Sequence, residues 1–111
     1  MISGIGVDIE EVKRFKGFYR NAKFTSLLFS KSEVSYCMKK KEPYIHFAGK
    51  FCAKEAASKA YHMPIKMKDI EIANSASGKV FIRIKGKRQD KAHCSISHTG
   101  RHAIAFVVVE K

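Results

Sequence analysis

Residues Phe47 to Ala60, FAGKFCAKEAASKA, constrain the fold more than any other stretch of the chain. At about 100° per residue, Phe47, Ala48, Phe51, Cys52, Ala53, Ala56, Ala57 and Ala60 cover most of a helix circumference. This predicts a largely buried central helix. Lys50, Lys54 and Ser58 share the one remaining polar stripe, whereas Glu55 and Lys59 fall inside the apolar arc. On an exposed helix an acid and a lysine at i, i+4 contribute only roughly 0.2–0.5 kcal/mol. Set into a packing surface, the same pair costs several kcal/mol in desolvation unless a metal or a phosphate uses the charges. Glu55 and Lys59 are therefore candidates for chemistry as well as for a plain ion pair.

The chain has 111 residues, which predicts a single domain, 1–111, with a modest core. Its N-terminus, MISGIGVDIEEV, carries acids at Asp8, Glu10 and Glu11 instead of a basic leader, and no apolar run is long enough for a bilayer. A cytoplasmic protein without membrane association is expected. Cys37, Cys52 and Cys94 are odd in number and sit among apolar neighbours, which predicts free, buried thiols. The net charge of +12 attracts polyanions of any kind, so nucleic acid, an acidic protein and a phosphate-rich cofactor all qualify as partners.

In chain order, residues 2 to 9 read as a strand with Ile5, Val7 and Ile9 on one face and Gly4, Gly6 and Asp8 on the other. Two glycines beside an acid let a ligand or another backbone approach closely, and Asp8 is either a cation ligand or a helix cap. Val12, Phe15 and Tyr19 predict a helix from Glu10 to Tyr19 whose other face is basic, with Lys13, Arg14, Lys16 and Arg20. It is a docking face or simply a solvated one. Phe24 to Phe29 reads as an apolar connector, and Ser30 with Glu33 has capping-box spacing for a helix ending near Met38. After the central helix, Met67–Asn74 and Val80–Lys85 are expected to form a hairpin, Gly86–Asp90 a polar loop, and Ala92–Ser97 and Ala103–Val109 two further strands. The order predicts an α+β domain, an antiparallel sheet packed against a long central helix and shorter helices. So apolar a helix exceeds what a thin sheet covers, which predicts a trimer or dimer over a monomer.

Zinc spacing, a cysteine-protease signature and a phosphate-binding loop of the G-x-x-x-x-G-K type are all missing. What remains is two carboxylates, Asp8 and Glu55, with Lys59 one turn on and a His98-Thr99 turn, a set that suits Mg2+ on a pyrophosphate. GIGVDIEEVKR at the start, FAGKFCAKEAASKA, DIEI at 69–72, Ser77-Gly78-Lys79 and the closing SISHTGRHAIAFVVVE together resemble the holo-[acyl-carrier-protein] synthases, which are phosphopantetheinyl transferases. The resemblance spans nearly the whole chain. It implies transfer of phosphopantetheine from coenzyme A to a serine of apo acyl carrier protein, with Mg2+, for fatty acid synthesis. It implies Asp8 and Glu55 as metal ligands, Glu55 and Lys59 as the catalytic pair, and Lys13, Arg14, Lys16 and Arg20 as the carrier-docking surface. Coenzyme A contacts are implied at Lys50, Lys54, Gly78, Lys79, Ser97, His98 and Thr99. A single-domain chain further implies a homo-oligomer, expected to be a homotrimer, with sites between subunits.

The chain departs from the family at Tyr61-His62-Met63-Pro64, where a glycine-rich helix end is usual, at Val80, where a proline is common, and in a shorter 85–93 segment. Glu55 is expected to hold the metal and to accept the serine proton, and Lys59 to stabilise the leaving phosphate. The rival reading is a small basic RNA-binding module using Phe15, Tyr19, Tyr36 and Tyr44. Its sheet would need exposed aromatics where this sequence has Ile and Val, so no nucleic-acid partner is expected.

Overall fold

A computed structural model describes residues 1–111. The first strand, β1 (Ile2–Glu11), alternates as the sequence predicts, but the bare face with Gly4 and Gly6 is the inward one. It lies on the central helix, α4 (Pro43–Tyr61), so closely that a Cβ on Gly4 would overlap the Ala60 carbonyl and one on Gly6 the Ala56 carbonyl. The glycines admit another backbone, that of the helix itself. Ala56, Ala57 and Ala60 are buried and, being small, let the helix sink onto the strand.

Four helices, not three, precede the hairpin. The pairing of β1 with the last strand, β6 (His102–Glu110), runs as far as Glu11 opposite His102, and the Val12 amide donates to the Arg101 carbonyl at 2.9 Å. This ladder claims residues expected to be helical, leaving α1 as one turn, Lys13–Lys16. The expected connector is instead helix α2 (Ala22–Leu28), started by Asn21, whose side chain accepts from the Phe24 amide. Ser30 and Glu33 form the predicted capping box of α3 (Lys31–Met38).

Nor is there one sheet. The chain builds two antiparallel three-stranded sheets, β1-β6-β5 with β5 at Ala92–His98, and β2 (Ile70–Asn74), β3 (Val80–Ile84) and β4 (Lys87–Arg88). The expected loop at Gly86 therefore contains a strand. Lys85 (φ 50°) and Gly86 (φ 81°) form the two-residue turn with both central φ positive that matches strand twist. The first sheet covers one flank of α4; β2 and α3 cover another. The sheets bury Ala103, Ala105, Val107 and Val109 on β6 and Ile70, Ile72 and Ile82 on the hairpin. All three thiols are free, with Cys94 only half-buried, and burial pushes Cys37 and Cys52 up to about 12 and Cys94 up to about 11. No helix is long and apolar enough to cross a membrane.

The faces of α4 are the main correction to the sequence reading. The Lys50–Lys54 stripe points into the protein, at 4% and 0% exposure, while Glu55 is half-buried and Lys59 exposed. Lys54 pairs with Glu33 at 2.7 Å and donates to the carbonyls of Leu28 (2.7 Å) and Met67 (3.1 Å). Glu33 in turn accepts from the amides of Ser30 and Ile72. Every hydrogen-bonding direction of a buried ion pair is filled, which is the condition under which it is tolerated. Burial lowers the Lys54 pKa and the Glu33 charge opposes that fall. Lys50 donates to the Ile72 carbonyl at 2.6 Å and to Asn74 Oδ1 at 2.7 Å. Helical periodicity cannot distinguish a polar stripe facing water from one facing buried acceptors.

Gly6→Ala should destabilise the protein by about 3 kcal/mol, because the obstacle is helix backbone that cannot rotate away. Gly17→Ala, at a site with no atom within 4 Å of the added carbon, should be neutral or stabilise by about 0.5 kcal/mol. Urea unfolding midpoints check both, and equal effects would overturn the close-approach argument.

Candidate active site

The site follows from the strand period and the helix seat. Asp8 and Glu10 lie two residues apart, so both side chains leave β1 on the α4 side, opposite Ala105 and Ala103 of β6 in register. The small residues opposite leave room. Glu55 comes from α4 and joins them: the Asp8 charge raises the pKa of both Glu55 and Glu10. Burial is the larger cause in each case, and Glu10, beside Asp8 and only 12% exposed at its side chain, is pushed up to about 7.

Two cations flank the cluster. Lys59 does not bridge to Glu55, as i, i+4 spacing proposes, but lies 3.6 Å from Asp8 Oδ1 and donates to the Val7 carbonyl at 2.9 Å. Arg14 Nη1 pairs with Glu10 Oε1. The other Asp8 oxygen, Oδ2, is buried without a partner. The three side chains do not close into a ready-made metal cage, but an orphaned oxygen on Asp8, with Glu10 and Glu55 near enough to feel its charge, fits a hard divalent cation that keeps most of its waters and takes only one or two carboxylates. Cys52 lines the same corner, its thiol donating to the Ala103 carbonyl at 3.3 Å.

Glu10 is the site residue that the sequence reading missed, because the expected helix began there. Extending the strand alternation by one step places it beside Asp8.

The remaining candidates gather elsewhere. Lys50, Gly78 and His98 line a cleft of about 180 Å³ together with Tyr36, His46 and Ile96. Burial lowers the His46 pKa, and Lys40 and His98 lower it further. Ser97, Thr99 and Lys79 are exposed nearby in sequence. Lys54 is not in the cleft; its ammonium is sealed against Glu33, so a direct contact with a bound molecule does not fit its position. Lys50 and Glu55 are five residues apart, roughly 140° around α4, so the cleft and the carboxylate cluster occupy different flanks of the helix. Lys13, Lys16 and Arg20 are exposed on the segment after β1, with Arg20 Nε donating to the Tyr19 hydroxyl.

Comparison with known proteins identifies the family and the fold. The profile of the 4'-phosphopantetheinyl transferase superfamily matches residues 4–107. The holo-[acyl-carrier-protein] synthase of Thermodesulfovibrio yellowstonii is 38% identical over 98% of this chain and 99% of its own. Among solved structures, a holo-(acyl-carrier-protein) synthase from Bacillus anthracis, in complex with CoA (3',5'-ADP), superposes with a TM-score of 0.86 at 34% identity, covering 100% of this chain and 98% of that one. The Helicobacter pylori holo-[acyl-carrier-protein] synthase in complex with coenzyme A gives 0.81 at 32% identity over 96% and 99%.

The Glu10 position has a consequence for stability. An acid whose pKa is higher folded than unfolded contributes stability that is complete below its ordinary 4.5 and is lost as pH rises through about 7. With chelator present, the melting temperature of the wild type should therefore fall behind that of Glu10→Gln as pH is raised from about 5 to about 8. The expected change in the gap is about 4 °C, equivalent to about 1 kcal/mol for a domain of this size. Added Mg2+ should narrow it. A gap independent of pH would show that Glu10 does not sense Asp8.

Proposed function

The chain belongs to the 4'-phosphopantetheinyl transferase superfamily, and from that membership we propose that it acts as a holo-[acyl-carrier-protein] synthase. It transfers the phosphopantetheine arm of coenzyme A to a serine hydroxyl of apo acyl carrier protein and so supplies fatty acid synthesis in the cytoplasm. The observation that carries this reading is the convergence of Asp8 and Glu55, from different elements, on one partly buried corner with an exposed ammonium, Lys59, beside it.

Asp8 and Glu55 would hold Mg2+, with Glu10 adding negative charge next to them. When bound, the cation neutralises the pyrophosphate of coenzyme A. Glu55 is the general base that takes the proton from the serine hydroxyl, directly or through a water, as the oxygen attacks the β-phosphorus. Burial and the Asp8 charge raise its pKa, which favours proton acceptance, and a bound cation would oppose that rise. The phosphoanhydride bond breaks and adenosine 3',5'-bisphosphate leaves. Lys59, exposed and tethered to the Val7 carbonyl, meets the departing phosphate as a point charge.

The cleft at Lys50, Gly78 and His98 receives the nucleotide end of coenzyme A. Because it lies on another flank of α4, one protomer does not span the whole substrate, and a second subunit completes the site. The surface for that assembly is the outer face of the first sheet, where Val7 with Phe106 and Ile9 with Ile104 stand exposed as cross-strand pairs and Ile5 is exposed beside them. Such a row is what a soluble monomer avoids. A homotrimer is the proposed assembly, though the apolar surface in question is the sheet and not α4, whose circumference the protomer itself covers. Carrier docking falls to Lys13, Arg14, Lys16 and Arg20. The RNA-binding alternative is not favoured: Phe15 is buried, Tyr19, Tyr36 and Tyr44 are half-buried, and Phe106 is the one aromatic on the outer sheet face.

Intact-mass analysis of apo carrier protein incubated with this protein, coenzyme A and Mg2+ should show a gain of one phosphopantetheine; an unchanged mass would overturn the reading. Asp8→Asn and Glu55→Gln should each lower kcat by about 100-fold or more while the urea midpoint holds or rises, since each relieves repulsion in the cluster. Near-normal turnover in either would remove that residue from the chemistry. Phe106→Asp should give monomers by sedimentation velocity with activity lost in parallel. An active monomer would remove the shared site.

A further inference from the structure

Beside the β5–β6 turn lies a basic cavity that shares Lys13 and Lys16 with the proposed docking surface and adds Arg101 and His102, which have no role above. Glu11, Lys13, Lys16, Gly100, Arg101 and His102 enclose about 490 Å³ with no apolar side chain in the lining. Of the three permanent cations, only Lys13 has a carboxylate partner, Glu11 at 3.4 Å, and that pair is solvent-exposed. Lys16 lies over the Tyr44 ring at 4.9 Å, which leaves Arg101 as the cation with no side-chain partner.

The cavity is held by backbone. Thr99 Oγ1 accepts from the amides of Arg101 and His102, each at 3.1 Å, and the Thr99 amide donates to the His102 carbonyl at 2.8 Å. The Arg101 carbonyl then accepts from Val12, fixing the turn to the junction of β1 and α1. Two elements far apart in sequence thus present cations to one space, and Gly100, with nothing within 4 Å, leaves its mouth open. In register, Glu11 stands opposite His102, three residues along β1 from Asp8 and on the outward face of the strand, whereas Asp8 faces α4.

We infer that this cavity is a second anchor for the acidic carrier protein, and that Arg101, outside the α1 segment, is a specificity-determining residue for it. The inference rests on the transferase reading above. Charge complementarity makes the anchored group a surface carboxylate of the carrier. An Arg with no internal partner accepts such a carboxylate in bidentate fashion. Rim charges of this kind act mainly on encounter and orientation, and are screened by salt over about 8 Å at physiological strength.

Steady-state kinetics with apo carrier and coenzyme A varied separately test the assignment. Arg101→Glu should raise KM for the carrier about tenfold at low salt, with kcat and KM for coenzyme A within twofold of wild type. Arg101→Lys should recover most of the loss, and added salt should close the gap. Because Arg101 is exposed, urea midpoints should not move. An unchanged carrier KM in Arg101→Glu, beside a raised one in Arg14→Glu, would overturn the second anchor while leaving the transferase reading intact. A parallel rise in KM for coenzyme A would also overturn it, since the cavity would then serve a nucleotide phosphate. If the wild type leaves the carrier mass unchanged, it is the transferase reading that fails.

Discussion

Everything at the candidate active site depends on one close approach, that of the α4 backbone to β1 at Gly4 and Gly6. The two carbonyls that occupy the space of the missing side chains, Ala56 and Ala60, belong to the same turns of helix as Glu55 and Lys59. Seating those turns on the strand therefore also sets Glu55 and Lys59 against Asp8. A side chain on either glycine would move the helix off the sheet and separate the carboxylates. Burial first, and the Asp8 charge after it, raise the pKa values of Glu10 and Glu55, so the packing holds these carboxylates where solvation and electrostatics alone would not.

The opposite flank of α4 completes the constraint. Lys54, with no exposed surface, draws together Glu33 of α3, the end of α2 at Leu28 and the 3₁₀ turn at Met67, while Glu33 reaches β2 at Ile72. Lys50 ties the helix to β2 again through Ile72 and Asn74. Removing one member of such a network leaves a buried charge without a partner, which costs far more than the pair contributes, so its value is in fixing one arrangement. The helix is thus held on one flank by backbone contact and on the other by hydrogen bonds. Two of the cations that contribute to the net charge of +12 are thereby internal, and the attraction for an acidic partner comes from the rest.

These constraints explain the proposed division of labour. The rigid strand and helix carry the carboxylates and Lys59, while the cations proposed to meet the carrier stand on the short α1 segment and the β5–β6 turn, where exposed side chains can adapt to a partner. The cleft proposed for the nucleotide lies around the helix from the cluster, and the apolar outer sheet face gives a physical reason for the proposed second subunit.

The sequence by itself determined the central helix, the capping box at Ser30 and Glu33, the hairpin, the first and last strands and the set Asp8, Glu55 and Lys59, because each is written in local period or local hydrogen-bonding chemistry. It also pointed to close backbone approach at Gly4 and Gly6. Only the tertiary structure decided where α1 begins, because the β1–β6 ladder claims Glu10 and Glu11 against their helical pattern. For the same reason Glu10 joined Asp8 only once the strand was seen to continue. The direction in which the lysine stripe of α4 faces was likewise undetermined by period: Lys50 and Lys54 turn inward because Glu33, Asn74 and three backbone carbonyls wait there, and those partners come from elements 13 to 26 residues away in sequence. A helical pattern states which residues share a face, and only the neighbours packed against that face state whether it meets water, protein or a ligand.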